Sequence, residues 1–143
     1  MSSAAPINLL ASLVLFASGI LLIGFAATVY VRPALAERFL MSFASSARAH
    51  YLEQTFRLMM GASIVVLSPT MWQTTAFSVL GWSIVVSSVA LMLIPWKWHH
   101  RLGEHILPKL ARHMKLFATA VFAFGVLLLF ALSTSLCFEK GSL

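Results

Sequence analysis

Nearly all charged residues of this chain fall in two short windows, which separate three long stretches without any charge. Residues 1–31, 58–96 and 116–138 contain no Asp, Glu, Lys or Arg, and twelve of the fourteen charged side chains fall within residues 32–57 and 97–115. A charge at the centre of a bilayer costs at least about 2.5 to 3.5 kcal/mol, so uncharged stretches of this length are typical of membrane-spanning helices. A water-soluble fold would not need them. We therefore predict an all-α, polytopic membrane protein.

The lengths of the uncharged stretches predict the number of spans. A helix rises about 1.5 Å per residue and the hydrocarbon core is about 30 Å thick, so one crossing needs about 20 apolar residues. The middle stretch of 39 residues suffices for two crossings, with the turn-forming segment 68–70 between them. The chain is thus predicted to form one domain, residues 1–143, with four transmembrane helices in two hairpin-like halves joined by interfacial amphipathic linkers. The spans are predicted at about 7–30, 55–71, 75–95 and 115–136.

The first stretch is predicted to remain as a span rather than to be cleaved as a secretory signal. Residues 34–36 have the small-x-small form of a cleavage site. A signal peptide, however, has basic residues before a short apolar region. In this chain the first basic residue, Arg32, follows a much longer apolar run.

The distribution of basic residues predicts the orientation in the membrane. Residues 32–57 hold four basic and two acidic side chains, residues 97–115 hold five and one, and the turn region 69–75 holds none. Because basic loops stay in the cytoplasm, we expect both windows to be cytoplasmic and both termini to lie outside, in a bacterial inner membrane. The chain has a net charge of +6, but its basic residues are separated by apolar spans. This arrangement favours anionic lipid headgroups over nucleic acid as the partner.

The two halves of the chain resemble each other at a spacing of 62 to 64 residues. Each half consists of a span, a proline near the cytoplasmic end, a basic linker of about twenty residues, and a second span with an early glycine. Such repeats would be parallel. Apolar helices resemble one another easily, so duplication and chance similarity both stay open. The pairs that superpose are Pro33 with Pro95, Arg48 with Arg112, His50 with His113, and Gly61 with Gly125.

The basic linkers are predicted to be amphipathic helices in the membrane interface. In residues 34–54 and 96–115, apolar positions recur among charged ones at helical spacing, which is the pattern of a helix buried on one side in acyl chains. Each Lys or Arg near the surface would then contribute about 1 kcal/mol to the binding of anionic lipid. A solvated loop that only sets the orientation is the simpler alternative. The candidate lipid contacts are Lys97, Arg101, Lys109, Arg112 and Lys115.

One polar site is predicted inside the membrane. If Pro69 marks the outer boundary, Arg57 lies roughly 18 Å inward, too deep for its side chain alone to reach the cytoplasmic interface. Glu53, four residues earlier, is then its natural partner, with Gln54 and His50 nearby. The alternative is that the span continues past Pro69 and that Arg57 reaches the interface from a shallow depth.

No metal, cofactor or catalytic site is predicted. His99, His100, Glu104 and His105 form a cluster, but neighbouring basic residues would repel a cation and the spacing matches no specific ligand motif. The cytoplasmic interface also offers little of the apolar enclosure that a haem needs. The single cysteine, Cys137, excludes an intramolecular disulfide.

The expected function is that of a small integral membrane protein without catalytic activity, either an accessory or assembly component of a membrane complex or a protein that acts on lipid organisation. Its expected partners are anionic lipid and other membrane subunits or further copies of itself. Helix contacts are expected at small residues, among them Gly19, Gly61, Gly81 and the pair Ser83 and Ser87. A small oligomeric transporter or channel is the alternative, followed by a membrane enzyme acting on a lipid or quinone.

Overall fold

The computed structural model describes residues 4–44, 46–94 and 112–141 of the chain. Within these ranges the chain is almost entirely helical and contains no strand, which confirms the predicted all-α class. A 3₁₀ turn, Ser68–Thr70, joins the third and fourth helices. The helices are α1 (Ala4–Val31), α2 (Pro33–Ala44), α3 (Ala47–Leu67), α4 (Thr74–Leu93) and α5 (Met114–Gly141).

Local sequence explains where several helices begin and end. α2 begins at Pro33 directly after α1, because a proline at the first helical position loses no hydrogen bond. Ser46 caps α3, and its hydroxyl oxygen accepts a hydrogen bond from the backbone N–H of Ala49 at 3.2 Å, as helix caps commonly do. Pro69 lies at the start of the 3₁₀ turn, where the sequence predicts the break between two helices.

Three helices are long and apolar enough to cross a membrane. Large apolar side chains are exposed along all three, as expected of surfaces that face lipid. The length and composition of these helices are those of a membrane protein. α3 does not meet the same standard, because Arg48, Glu53 and Arg57 lie in its first half and leave only residues 58–67 uncharged, so the fourth span stays a prediction. The candidate spans are Ala5–Val31, Thr74–Leu93 and Met114–Leu136.

The helices pair across the two predicted halves. α1 packs mainly against α5 and α3 mainly against α4, while α1 and α3 share a smaller contact and α2 touches both of them. A Cβ atom at Gly125 would lie 3.1 Å from the carbonyl oxygen of Gly19, and one at Gly81 would lie 3.0 Å from that of Gly61. Both glycine contacts thus join helices of different halves, and the predicted hairpin-like arrangement is not confirmed.

The helix ends next to the basic windows lie together. Tyr30, at the end of α1, shares a hydrogen bond of 2.6 Å with Thr119, near the start of α5. His50, near the start of α3, has its Nε2 3.2 Å from the carbonyl oxygen of Leu91, near the end of α4. The 3₁₀ turn packs against α5 at the opposite end. Both helix pairs are therefore antiparallel, and this shared end is hereafter the basic end.

Many, though not all, buried positions of the two halves coincide. An offset of 62 residues places α4 on α1, and an offset of 64 places α5 on α3. Exchanging the halves maps the α1–α5 contact onto the α4–α3 contact, but the contact between α1 and α3 has no comparable counterpart between α4 and α5, so the exchange relates the two helix pairs and not the whole bundle. The matching buried pairs are Leu15 with Phe77, Gly19 with Gly81, Ala26 with Ser88, His50 with Met114, Gln54 with Ala118, Gly61 with Gly125, Ile64 with Leu128, and Leu67 with Ala131.

This correspondence concerns one face of each helix only, and the predicted duplication with parallel repeats stays a prediction. The correspondence changes one of the predicted pairs. The buried face of α5 sets an offset of 64, so that His50 corresponds to Met114 rather than to the exposed His113.

Candidate functional site

The clearest polar feature of the described interior lies between α3 and α4. Gln54 and Ser88 are 0% exposed and His50 is 2% exposed; these three residues are hereafter the polar seam. Gln54 lies seven residues before Gly61, and Ser88 lies seven residues after Gly81. Because the two glycines touch and the helices are antiparallel, this spacing of about two turns places Gln54 and Ser88 opposite each other.

The side chains of Gln54 and Ser88 have no hydrogen-bond partner among the residues that the structure describes. Within the described part of the chain, the Gln54 amide nitrogen and oxygen and the Ser88 hydroxyl make no hydrogen bond. A buried amide or hydroxyl without a partner costs about 1 to 3 kcal/mol. His50 contributes its Nε2 contact with the carbonyl oxygen of Leu91. The seam thus presents one amide and one hydroxyl group that other groups could still bind.

Ser88 differs in this respect from other buried serines. Ser18, which is also 0% exposed, donates a hydrogen bond to the carbonyl oxygen of Val14 at 2.7 Å. Ser63 donates in the same way to Met59 at 2.8 Å. A serine within a helix can normally bond to the preceding turn in this manner, so the unpaired hydroxyl of Ser88 is not a general property of these helices.

The equivalent place in the other helix pair is apolar. Ala26 and Ala118 lie seven residues from Gly19 and Gly125, are both 0% exposed, and belong to one buried cluster. Two methyl groups therefore suffice to pack the helices at this level. A glutamine and a serine in the α3–α4 pair are not required by packing alone.

The predicted intramembrane pair lies beside the polar seam. Glu53 and Arg57 are one turn apart on α3, and both are half-buried. The described part of the chain contains no ion pair between them. Gln54 and His50, predicted only as neighbours of Arg57, instead lie in the interface with α4. The pairing of Glu53 with Arg57 stays a prediction.

Sequence reasoning missed the opposition of Gln54 and Ser88. Ser88 is one of many small residues on α4, and Gln54 reads as a companion of Arg57. The available signal was their spacing of seven residues from a glycine on each helix. That spacing becomes informative only once it is known which glycines touch.

The predicted lipid contacts are only partly within the described residues. Arg112 and Lys115 are exposed at the start of α5. The other three, Lys97, Arg101 and Lys109, lie outside the described ranges, as does the cluster of His99, His100, Glu104 and His105.

A second feature is a shallow groove of about 480 Å³ on the exposed side of α4. Ser83 donates its hydroxyl to the carbonyl oxygen of Val79 at 2.7 Å, and Ser87 donates to Ile84 at 3.0 Å. Their polarity is thereby satisfied within α4, and they present small surfaces that let another helix approach closely. The described residues that line the groove are Ser78, Val79, Trp82, Ser83, Val86 and Ser87.

No protein-family model, no curated protein and no solved structure matches this chain. The function is therefore inferred from its residues and their geometry.

Proposed function

We propose that this chain is an accessory or assembly component of a membrane complex, without catalytic activity of its own. The observation that carries the proposal is the groove on α4. A helix face that meets only lipid has no need of small residues, whereas the close approach of a second helix does need them. Ser83 and Ser87 provide such a face beside the exposed Trp82. A transmembrane helix of another subunit is the occupant that this surface fits.

We further propose that α3 crosses the membrane together with the other three helices. α3 packs along α4 and also against α1, which places much of its polar half against protein rather than lipid. Charged residues in membrane helices usually face such protein contacts. The basic end is then cytoplasmic, in a bacterial inner membrane, and both termini lie outside.

Binding of anionic lipid at the basic end is part of the same proposal. The exposed Arg112 and Lys115 support it, because basic side chains near the surface attract anionic headgroups. Replacing Lys97, Arg101, Lys109 and Lys115 together by Gln should reduce the anionic lipid retained per protein through purification, as measured by mass spectrometry. Replacing Lys140, near the C-terminus, by Gln is the control. Equal lipid retention in both variants would contradict lipid binding.

A small oligomeric transporter or channel is a second candidate, and the polar seam is the observation that favours it. A transport path would have to extend from the seam to both faces of the membrane. On the side away from the basic end, however, the seam meets the contact between Gly61 and Gly81, where the two backbones leave no room for a Cβ atom. The accessory function is therefore preferred.

Photo-cross-linking in cells that make the full chain tests the accessory function. A benzophenone amino acid at Ser83, in the groove, should give a discrete protein adduct. The same group at Ile20, which is 49% exposed on α1, is the control and should give mainly lipid adducts. Lipid adducts alone at both positions would contradict the proposal. Adducts with a differently tagged copy of the chain would identify a homo-oligomer instead of a complex with other subunits.

A further inference from the structure

We propose that the polar seam binds a hydroxyl group, supplied by water or by a lipid headgroup, which bridges Gln54 and Ser88. This site does not depend on the accessory function proposed above. It rests on two fully buried side chains that the register of the Gly61–Gly81 contact places at the same level of α3 and α4, and that have no hydrogen-bond partner in the described part of the protein.

The unpaired atoms determine the chemistry of the ligand. The Gln54 amide offers both a donor and an acceptor, and the Ser88 hydroxyl can act as either. A hydroxyl group can accept a hydrogen bond from one side chain and donate one to the other. A ligand with only a carbonyl oxygen would leave the Gln54 oxygen unpaired. The two atoms of the amide are both unpaired, so a hydroxyl group can bind the amide in either of its two orientations.

The surroundings restrict the ligand to a small, neutral group. Gln54 and Ser88 carry no charge, and an ion buried between them would lack compensation for its lost hydration. The corresponding level between α1 and α5 is packed by the methyl groups of Ala26 and Ala118, and Gln54 and Ser88 are themselves 0% exposed, which favours a small group. His50 lies one turn nearer the basic end and continues the polar surface in that direction, which gives a hydroxyl a route from the interface.

Solid-state NMR on the reconstituted full chain measures the contact directly. The chain contains two glutamines, Gln54 and the exposed Gln73, so labelling with ¹⁵N-glutamine gives two side-chain signals that Gln73→Met assigns. Magnetisation should pass from hydroxyl protons to the Gln54 amide in the native chain and fall severalfold in Ser88→Ala. Gln73 is the internal reference, because it should show transfer from water in every sample.

The composition of the vesicles separates the two sources of the hydroxyl. Phosphatidylcholine carries no hydroxyl group, whereas phosphatidylglycerol carries two. Transfer to Gln54 in phosphatidylcholine vesicles would identify water as the ligand. Transfer that occurs only in phosphatidylglycerol vesicles would identify the lipid hydroxyl. Absence of transfer to Gln54 in both kinds of vesicle would overturn the proposal.

Thermal stability gives a second test, because a bound hydroxyl and an empty site predict changes in melting temperature of opposite sign. Gln54→Met keeps the length of the side chain and Ser88→Ala removes only an oxygen, so neither variant opens a large cavity. If a hydroxyl bridges the pair, each variant loses that bridge and should melt about 3 °C or more below the native chain. If nothing is bound, each variant removes an unpaired polar group and should melt higher, which would overturn the proposal. Ser18→Ala, which removes a serine bonded within its own helix, is the matched control.

Discussion

The two glycine contacts predict that one added methyl group lowers the stability of the protein by different amounts at different glycines. At Gly81 the new Cβ would lie 3.0 Å from both the carbonyl oxygen of Gly61 and the backbone nitrogen of Val65. Backbone atoms can withdraw only if α3 moves away from α4. At Gly19 the nearest atoms, at 2.7 Å, belong to the side chain of Leu129, which can rotate. Gly24 has nothing within 4 Å.

The magnitude follows from two opposing effects. Alanine is favoured over glycine in a helix by about 0.8 to 1.0 kcal/mol, and this gain applies at every position. Overpacking a well-packed contact costs about 1 to 3 kcal/mol. We therefore expect Gly81→Ala to lower the free energy of unfolding by about 1 to 3 kcal/mol relative to Gly24→Ala. Gly19→Ala should fall between these two variants, because the cost there is borne by a side chain.

Equilibrium unfolding in mixed detergent micelles, followed by circular dichroism, would measure these differences. Gly24→Ala is the matched control, because it makes the same chemical change at a helical position with nothing within 4 Å. We expect it to be as stable as the native chain or more stable. Equal stability of Gly81→Ala and Gly24→Ala would refute the inference that close backbone contact holds α3 against α4.

Two further predictions concern topology and the charged pair on α3. In a background without the native cysteine, Ser42→Cys should be protected from a membrane-impermeant thiol reagent in intact cells and Thr75→Cys should react; the opposite result would invert the orientation. If Arg57 is paired with Glu53 at membrane depth, then Arg57→Leu and Glu53→Leu should each lower thermal stability in detergent, and the double variant should recover part of the loss. Additive effects would indicate an interfacial pair worth only about 0 to 1 kcal/mol.

The all-α class and three of the apolar helices could be predicted because they depend on whether each residue along the chain is charged or apolar. A charged side chain in the hydrocarbon core is costly, so a long uncharged stretch directly indicates a membrane-spanning helix. α3 lies at the limit of such reasoning, because Arg48, Glu53 and Arg57 leave it only a short uncharged segment. Whether these charges lie in lipid or against protein depends on neighbouring helices, which composition does not reveal.

The pairing of helices could not be predicted in the same way. Gly19 could in principle pack against any small residue of another span, since lipid provides no hydrophobic preference for one helix face over another. Its contact with Gly125 is set by the combined shape of both helices. The polar seam depends on that pairing in turn, because Gln54 and Ser88 are opposite each other only when Gly61 touches Gly81.

The shared register of the two helix pairs, set by the Gly19–Gly125 and Gly61–Gly81 contacts, predicts two equivalent cross-links. Cysteines at Ala26 and Ala118 should form a disulfide on treatment with copper phenanthroline in membranes, because both residues are buried in one cluster and lie opposite each other in the register of α1 and α5. Cysteines at Gln54 and Ser88 should do the same between α3 and α4. A disulfide requires Cα atoms within about 7 Å, so its formation reports the register of each pair.

The control for the first cross-link is the pair Ala27 and Ala118. Ala27 is the exposed neighbour of Ala26, about 100° around the helix, so its cysteine should point into lipid and react far more slowly. Cross-linking of Ala27 as fast as Ala26 would mean that α1 rotates freely against α5. Formation of only one of the two buried cross-links would show that the two helix pairs pack differently. The Ala26–Ala118 contact could then no longer be used to judge whether packing at the polar seam requires Gln54 and Ser88.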